Sequence, residues 1–209
     1  MNLTNYYWYF QSVVPSRICD DIVKYGHQMQ DQMAVTGGYG NSKKLNAKQT
    51  KDLKKKRNSD IVWMSDRWVY REIQPYVHQA NANAGWNFNW DFSESCQFTK
   101  YKKGQYYDWH CDSWDSVYNR PDDMGLHGKT RKLSVTCSLS DPKDYKGGEL
   151  EFDFRNLDPD KPRKPVKCKE ILPKGSLVVF PSFVWHRVCP VKSGERNSLV
   201  IWNLGYPFK

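Results

Sequence analysis

Residues 174–204 decide the fold, and they read KGSLVVFPSFVWHRVCPVKSGERNSLVIWNL. This stretch holds three short apolar runs, and turn signals such as Ser193-Gly194 separate them. Further runs of the same kind lie at 95–101, 105–109, 132–139, 149–154 and 166–171. Many short strands with no helical pattern between them are typical of antiparallel β structure. The pattern therefore predicts a mainly β chain, a sandwich or barrel of jelly-roll type.

The first third of the chain has a helical pattern instead. Apolar spacing predicts one helix over 16–32, with Ser16 as its cap, and a second over 65–84 that Pro75 interrupts. Strict alternation of aromatic and polar residues at 86–92 predicts a strand. We expect these helices to brace one sheet of the β core.

The chain has no segment that reads as a linker between two folding units, so we expect a single domain over residues 1–209. In this domain, residues 1–92 would form the helical support and residues 93–209 the β core. Residues 37–59 lose all periodicity and carry many like charges, which predicts a mobile basic loop.

The net charge is unevenly distributed. The 209 residues carry a formal charge of +9, of which +7 lies in residues 43–57 and +5 in residues 161–169. The remainder is mildly acidic, at −3. This distribution excludes a uniformly basic scaffold of the kind that binds nucleic acid along its whole surface.

The location of the protein can also be inferred. No run approaches the roughly 18 apolar residues of a membrane span, and the first ten residues do not resemble a signal peptide. Six scattered cysteines without a C-x-x-C pair are typical of free thiols in a reducing compartment. We expect a cytoplasmic protein without a membrane partner.

Candidate metal ligands stand at two places in the β region. His110 and Asp112 form H-x-D at the end of a predicted strand, where residues two apart share a face. His186 follows 76 positions after His110 in an apolar run, where an ordinary core histidine is the alternative. Two histidines and one carboxylate can form the facial triad of non-heme Fe(II) oxygenases.

Arg196 lies ten positions after His186, across the Ser193-Gly194 turn. An antiparallel return would place Arg196 and His186 on neighbouring strands that face one cavity. A buried guanidinium there could bind the distal carboxylate of 2-oxoglutarate in a bidentate pair.

The segments YKKGQYYDWHCD, RKLSVTCSLS, KGGELEF, KGSLVVFPSFVWHRV and GERNSLVIWNL occur in this order. Over roughly residues 95–206 the chain resembles the Fe(II)- and 2-oxoglutarate-dependent dioxygenases, specifically the prolyl 4-hydroxylase branch with its bacterial and phage relatives of the PKHD type. The resemblance implies a double-stranded β-helix (a jelly-roll or cupin-like core) with iron at its mouth. It departs from some prolyl hydroxylases at Ser138, where these have a tyrosine.

The resemblance also implies roles for individual residues. It makes His110, Asp112 and His186 the iron ligands, and it places Arg196, Tyr101 and Ser198 around the distal carboxylate of 2-oxoglutarate. Tyr107, Arg131 and Trp202 would face the substrate, although Tyr107 and Trp202 could equally be core aromatics and Arg131 a solvated strand end. An apolar cage would come from Val178, Phe180, Val184 and Trp185.

The activity implied is that of a procollagen-proline 4-dioxygenase-like enzyme. It would hydroxylate proline in a peptide or protein, convert 2-oxoglutarate and O2 to succinate and CO2, and use ascorbate as a further candidate cofactor. The basic segment 43–57 would act as a lid that favours acidic peptides, and residues 113–129 are a second candidate lid.

One alternative is an oxygenase of the same class acting on alkylated nucleic acid or a small molecule. The acidic segment 121–123 beside the ligand strand argues against nucleic acid. A non-catalytic jelly-roll binding module is the other alternative.

Overall fold

The computed structural model describes residues 4–29, 32–34, 46–113, 115–154 and 164–208. Three α-helices lie in the described part of the chain: α1 (Ser16–Gln28), α2 (Ala47–Lys56) and α3 (Arg67–Asn83). The strands there are β1 (Trp8–Phe10), β2 (Gln32–Met33), β3 (Arg57–Asn58), β4 (Asp60–Met64), β5 (Phe92–Ser93), β6 (Cys96–Tyr101), β7 (Tyr106–His110), β8 (Thr130–Ser138), β9 (Tyr145–Gly147), β10 (Leu150–Asp153), β11 (Val166–Lys167), β12 (Leu177–Pro181), β13 (Trp185–Val188), β14 (Val191–Gly194) and β15 (Arg196–Gly205). A short 3₁₀ turn, Lys169–Ile171, precedes β12.

Two antiparallel sheets form the body of the molecule. The larger has the strand order β1-β12-β8-β15-β6-β4-β2, with β5 paired to β15. The smaller has the order β11-β10-β13-β7-β3, and β14 pairs with β9 in a separate ribbon. The prediction of a mainly β chain with N-terminal helices is confirmed. The N-terminal third also supplies strands β1 to β4, which extend both sheets.

The larger sheet is buried on both faces, as β8 shows. Its residues Leu133, Val135 and Cys137 belong to the apolar core under the helices. The alternating residues Ser134, Thr136 and Ser138 are equally buried but polar. Because successive side chains of a strand point to opposite faces, the polar set lines the other side of the sheet, towards the smaller sheet.

Helices α1 and α3 cover the apolar face. Ile22 of α1 and Ile73 of α3 are fully buried and belong to the same apolar core as Phe98 of β6. Gly26 lets α1 approach closely, since a Cβ there would lie 2.4 Å from the Phe98 ring. Helix α1 begins at Ser16, directly after Pro15, so the prediction of a Ser16 cap is wrong. Pro75 lies inside one continuous α3.

Part of the predicted basic loop is ordered. Residues 47–56 form α2, which Asn46 and Gln49 begin with a reciprocal capping box. Leu53 is the one buried residue of this helix, so the periodic signal was too weak to predict it. Residues 57–58 of the predicted loop form β3, and residues 37–45 lie outside the described residues.

The predicted strand at 86–92 is wrong over most of its length. The side chains of Trp86 and Phe88 are buried and Asn87 is exposed, as alternation requires, but the backbone joins no sheet before β5. Asn87 has a positive φ of 52°, which a strand does not accommodate. The side chain of Asn81 in α3 replaces the missing strand partner, because its amide accepts from the Phe88 N–H and donates to the Phe88 carbonyl, each at 2.9 Å.

None of the described helices has the length and apolar character needed to cross a membrane.

Replacing Asn81 by alanine tests this substitute pairing. Asn81→Ala should lower the free energy of unfolding by about 1–3 kcal/mol, because it leaves buried backbone groups of Phe88 without partners. Urea denaturation followed by far-UV circular dichroism measures the change. Asn83→Ala, on the exposed end of the same helix, is the matched control and should stay within about 0.5 kcal/mol of wild type. Equal midpoints for the two variants would contradict the interpretation.

Candidate metal centre

Three ligand-type side chains converge at one end of the smaller sheet. His110 is the last residue of β7, and His186 lies directly opposite it on β13. Asp112 lies beyond the end of β7, and its N–H donates to the Ser182 carbonyl at 2.8 Å. His110 and Asp112 do lie close together, as predicted, but strand alternation is not the cause, because β7 ends at His110. The backbone contact of Asp112 with Ser182 places the carboxylate beside the histidines instead.

The distances suit a single ion. His110 Nε2 lies 3.8 Å from Asp112 Oδ1, and His186 Nε2 lies 3.6 Å from Asp112 Oδ2. One ligand atom from each of the three residues falls within 4.8 Å of the others. Two atoms that share one ion with bonds of about 2.1 Å can be up to about 4 Å apart, and both His–Asp separations lie within that limit. The two imidazoles and one carboxylate match the facial donor set that non-heme Fe(II) prefers.

Backbone carbonyls orient both imidazoles. Nδ1 of His110 lies 2.7 Å from the Asp108 carbonyl, and Nδ1 of His186 lies 3.0 Å from the Val184 carbonyl. A carbonyl can only accept, so each Nδ1 carries the proton and each Nε2 presents its lone pair. Burial lowers the pKa of His110 to about 3, and the His186 imidazole adds to the shift. His110 is therefore neutral at physiological pH, as a metal ligand must be.

Two serines that the sequence analysis missed hold the carboxylate. Ser134 Oγ donates to Asp112 Oδ2 at 2.7 Å and lies 2.9 Å from Ser182 Oγ. Burial by itself would raise the pKa of Asp112, but the two imidazoles, the Arg131 charge and the Ser134 hydroxyl hold it below its usual value. The signal for Ser134 in the sequence is the alternation of polar and apolar residues in the 132–139 run, which by itself predicts only a strand.

Arg196 lies across the interior from His186. It begins β15 of the larger sheet, whereas His186 belongs to the smaller one, so the prediction of neighbouring strands is wrong. The physical reason is that residues 191–194 form β14 and pair with β9 instead of returning along β13. The two residues still share one interior, because Tyr101, opposite Arg196, packs in the same buried cluster as Phe180. The Phe180 ring lies 4.8 Å from the His186 ring.

Arg196 is a buried cation for which the described residues supply no counterion. It is 2% exposed, its Nη1 donates to Ser198 Oγ at 3.3 Å, and its guanidinium lies 5.6 Å from the Tyr101 ring centre. No carboxylate within the described residues forms an ion pair with it. A buried charge without a partner is strongly unfavourable, so this position is suited to an anionic ligand group.

Tyr107 lies against the metal residues. Its ring stacks on His110 at 3.5 Å between ring centres, and the Arg57 guanidinium lies 4.5 Å from the Tyr107 ring centre. A β-bulge lets Tyr107 and His110 share a face although they are three positions apart. Burial raises the pKa of Tyr107 to about 12, so the hydroxyl stays protonated.

Arg131 and Trp202 form a second contact. The Arg131 guanidinium lies 3.8 Å above the Trp202 ring and makes a bidentate pair with Glu94, at 2.8 and 2.6 Å. The alternative of a solvated strand end for Arg131 is therefore wrong. Trp202 Nε1 is buried without a hydrogen-bond partner.

The expected apolar cage is present in part. Val178, Phe180 and Val184 lie in one buried cluster, together with Phe152, which the sequence analysis did not identify. Phe152 lies opposite His186 on β10. Trp185 is half-buried and outside this cluster, since it immediately precedes His186 and so points to the other face of β13.

Arg57 was also missed as an individual residue, because it ends a run of exposed lysines. It is 4% exposed, its Nε donates to Ser59 Oγ at 3.0 Å, and its Nη2 is buried without a partner. Strand β3 places it opposite Tyr107.

A family model described as the 2OG-Fe(II) oxygenase superfamily matches residues 96–203, just over half of the chain. The chain belongs to this superfamily. Its members need Fe(II), 2-oxoglutarate and O2. The match includes His110, Asp112, His186 and Arg196, whereas Arg57 lies outside it.

Curated relatives of this 2OG-Fe(II) oxygenase superfamily member include PKHD-type hydroxylases. One from Shewanella baltica is 34% identical over 105 residues, which are 50% of this chain and 40% of the relative. One from Hyphomonas neptunium is 46% identical over 72 residues, 34% of this chain and 27% of the relative. The matched region thus spans less than half of these relatives.

Solved structures show the same fold. The viral collagen prolyl hydroxylase of Paramecium bursaria Chlorella virus-1 aligns with a TM-score of 0.64 and 22% identity over 97% of both chains. A Pseudomonas putida prolyl-4-hydroxylase aligns with a TM-score of 0.61 and 20% identity, over 96% of this chain and 92% of that one. The predicted double-stranded β-helix is confirmed.

Removing the Ser134 hydroxyl tests the support of the carboxylate. Ser134→Ala should weaken Mn(II) binding by about tenfold or more, because Asp112 loses the hydrogen bond that orients it. Electron paramagnetic resonance of free Mn(II) during titration gives the affinity. Ser138→Ala, on the same face of β8 and without contact to Asp112, should bind Mn(II) as wild type does. Unchanged affinity in both variants would refute a role for Ser134.

Proposed function

We propose that this protein is an Fe(II)- and 2-oxoglutarate-dependent dioxygenase that hydroxylates proline in a peptide or protein. The observation that carries the proposal is one buried interior with a His-Asp-His cluster on one sheet and the unpaired Arg196 on the other. A metal and a dicarboxylate would satisfy both groups at once.

The proposed roles follow from the donor chemistry. His110, Asp112 and His186 would hold Fe(II), and Arg196 with Ser198 and Tyr101 would bind the distal carboxylate of 2-oxoglutarate. Bound together with O2, the metal and cosubstrate would supply an oxidation that hydroxylates a C–H bond while 2-oxoglutarate becomes succinate and CO2.

The residues of this chain would orient the metal ligands and exclude water from the site. The Asp108 and Val184 carbonyls keep the two imidazole lone pairs directed at the metal position. Phe152 and Phe180 pack against the His186 ring and exclude water beside it. Exclusion of water strengthens the electrostatic attraction between Arg196 and a carboxylate, and it prevents side reactions.

A proline substrate is favoured by the aromatic surfaces at the cluster. Tyr107 stacks on His110, and Trp202 lies beneath Arg131. Contacts on their faces thus hold both rings in place, and we propose that their edges contact a pyrrolidine ring. Relatives in fold are named for this chemistry, namely the viral collagen prolyl hydroxylase and a Trichoplax adhaerens prolyl hydroxylase complexed with a hypoxia inducible factor peptide fragment.

The charge of α2 favours an acidic peptide. Lys54, Lys55 and Lys56 are exposed in its last turn, directly before Arg57. The carbonyls of Lys54 and Lys55 accept from the Tyr106 hydroxyl, which ties this turn to β7. Arg57 itself is buried against Tyr107, so it belongs with the substrate-facing residues and not with the exposed lysines.

Turnover of 2-oxoglutarate is the direct test of the activity. Protein supplied with Fe(II) should form succinate, and His110→Ala, Asp112→Ala or His186→Ala should reduce succinate formation to background, because each removes a metal ligand. Coupled hydroxylation is measured by mass spectrometry, as the gain of one oxygen atom on proline in a peptide array.

Arg196→Ala provides the contrasting variant. This variant should mainly raise the apparent KM for 2-oxoglutarate. It removes a contact to the distal carboxylate of 2-oxoglutarate, which takes no part in the reaction. Full turnover by any ligand variant would refute the metal assignment, and an unchanged KM in Arg196→Ala would refute the carboxylate site. Oxidation of an alkylated oligonucleotide but of no prolyl peptide would favour the nucleic-acid alternative.

Neutralising the exposed lysines separates substrate choice from chemistry. A Lys54→Gln, Lys55→Gln, Lys56→Gln triple variant should raise KM for an acidic prolyl peptide and leave uncoupled 2-oxoglutarate turnover unchanged. The effect should shrink as salt is added, since exposed charges are screened. The matched control changes Lys164, Lys167 and Lys169 to glutamine, and equal effects of the two triples would contradict a specific role for α2.

A further inference from the structure

A second cleft lies outside the candidate metal centre, between residues 86–91 and the C-terminal residues 205–208. Its volume is about 510 Å³, which is in the range of small-molecule sites. Five of its eleven lining residues are aromatic, and one is a buried lysine. These residues are Trp86, Phe88, Trp90, Tyr206, Phe208 and Lys132.

Lys132 is a buried cation for which the described part of the chain supplies no anionic partner. It lies on β8 and is 2% exposed, and its ammonium group lies 3.3 Å from the Phe208 ring centre. Within the described residues, Nζ makes no hydrogen bond or ion pair. The adjacent Arg131 differs, because Glu94 neutralises it. An aromatic face covers only one side of an ammonium group, so the remaining N–H donors of Lys132, which lines the cleft, are available to an anionic ligand.

The other charges of the cleft are already paired. Asp91 is the one acidic residue among the described residues that line it. Its carboxylate lies 2.8 Å from Lys129 Nζ. Lys129 also lies 5.5 Å from the Tyr206 ring centre. Because Asp91 and Lys129 cancel each other, the charge of Lys132 gives the cleft a net positive potential. Burial also lowers the pKa of Lys132, and an anion beside the ammonium would oppose that shift.

Contacts hold one wall of the cleft, residues 86–89, in place before any ligand binds. Trp86 Nε1 donates to the Asn5 carbonyl at 2.7 Å. The amide of Asn81 clamps Phe88. Gly205 allows close contact of the two walls, since a Cβ there would lie 2.2 Å from the Asn89 carbonyl oxygen. A pre-formed aromatic cleft loses little conformational entropy on binding.

We propose that this cleft binds a small aromatic carboxylate, with the carboxylate on Lys132 and the ring against Phe88, Tyr206 and Phe208. The carboxylate supplies the anion that Lys132 lacks, through charge-assisted hydrogen bonds. The flat ring matches aromatic walls, which favour offset or edge-on contacts. The site is separate from the proposed 2-oxoglutarate position and does not depend on the proposed reaction.

Indole-3-acetate and its uncharged analogue indole-3-acetamide are the probes. Calorimetric titrations use the full chain with Mn(II) and excess 2-oxoglutarate, so that a carboxylate probe cannot simply occupy the metal centre or Arg196. Wild type should bind the acid about tenfold or more tightly than the amide, because only the acid makes the charge-assisted contact. Equal affinity of the two probes, or no binding of the acid, would overturn the proposal without any variant.

Lys132→Met then assigns the preference to one residue. It should abolish the difference between acid and amide, whereas Lys143→Met, at an exposed turn, should preserve it. Lys132→Met should unfold at the same temperature as wild type or higher, since it removes an unpaired buried charge. Persistence of the acid preference in folded Lys132→Met would overturn the assignment to Lys132.

Discussion

Strand β8 is buried on both faces, and the rest of the structure depends on how it divides its side chains. Leu133, Val135 and Cys137 lie under the helices, where they form the apolar core with Phe98 and Leu199. Ser134, Thr136 and Ser138 lie on the other face, towards the smaller sheet. A slip of one residue in the pairing of β8 would exchange these two sets. The same register therefore maintains the core and places Ser134 on Asp112.

Buried cations are the second theme of the molecule. Arg131 has a carboxylate partner in Glu94, whereas Arg196, Arg57 and Lys132 have none within the described residues. Each of the three instead contacts an aromatic ring, which reduces the cost of burial but does not replace an anion. Arg196 and Arg57 lie in the interior that holds the metal residues, and Lys132 lines the second cleft.

The local motifs predicted the chemistry better than the geometry. H-x-D, the later His186 and the Arg196 ten positions on all pointed to a metal and a carboxylate, since few other functions need this combination. Their spatial relations were predicted less well. Asp112 lies beyond its strand, and Arg196 lies on the opposite sheet from His186. The side chains at 86–88 alternate between buried and exposed as predicted, but their backbone pairs with no strand. The side chain of Asn81 supplies hydrogen bonds to Phe88 in place of a strand. Helix α2 escaped prediction because a single apolar residue, Leu53, anchors it.

The sequence by itself determined the mainly β class, the residues of the candidate metal cluster and the superfamily. Periodicity, residue type and spacing are local properties that can be read directly from the amino-acid sequence. Only the tertiary structure decided which sheet carries each functional residue and that Ser134 hydrogen-bonds to Asp112. It also decided that Arg57 packs on Tyr107, unlike the exposed lysines before it, and that Lys132 is buried with no counterion among the described residues. These features depend on strand register, a β-bulge and contacts between residues tens of positions apart, and no local pattern encodes them.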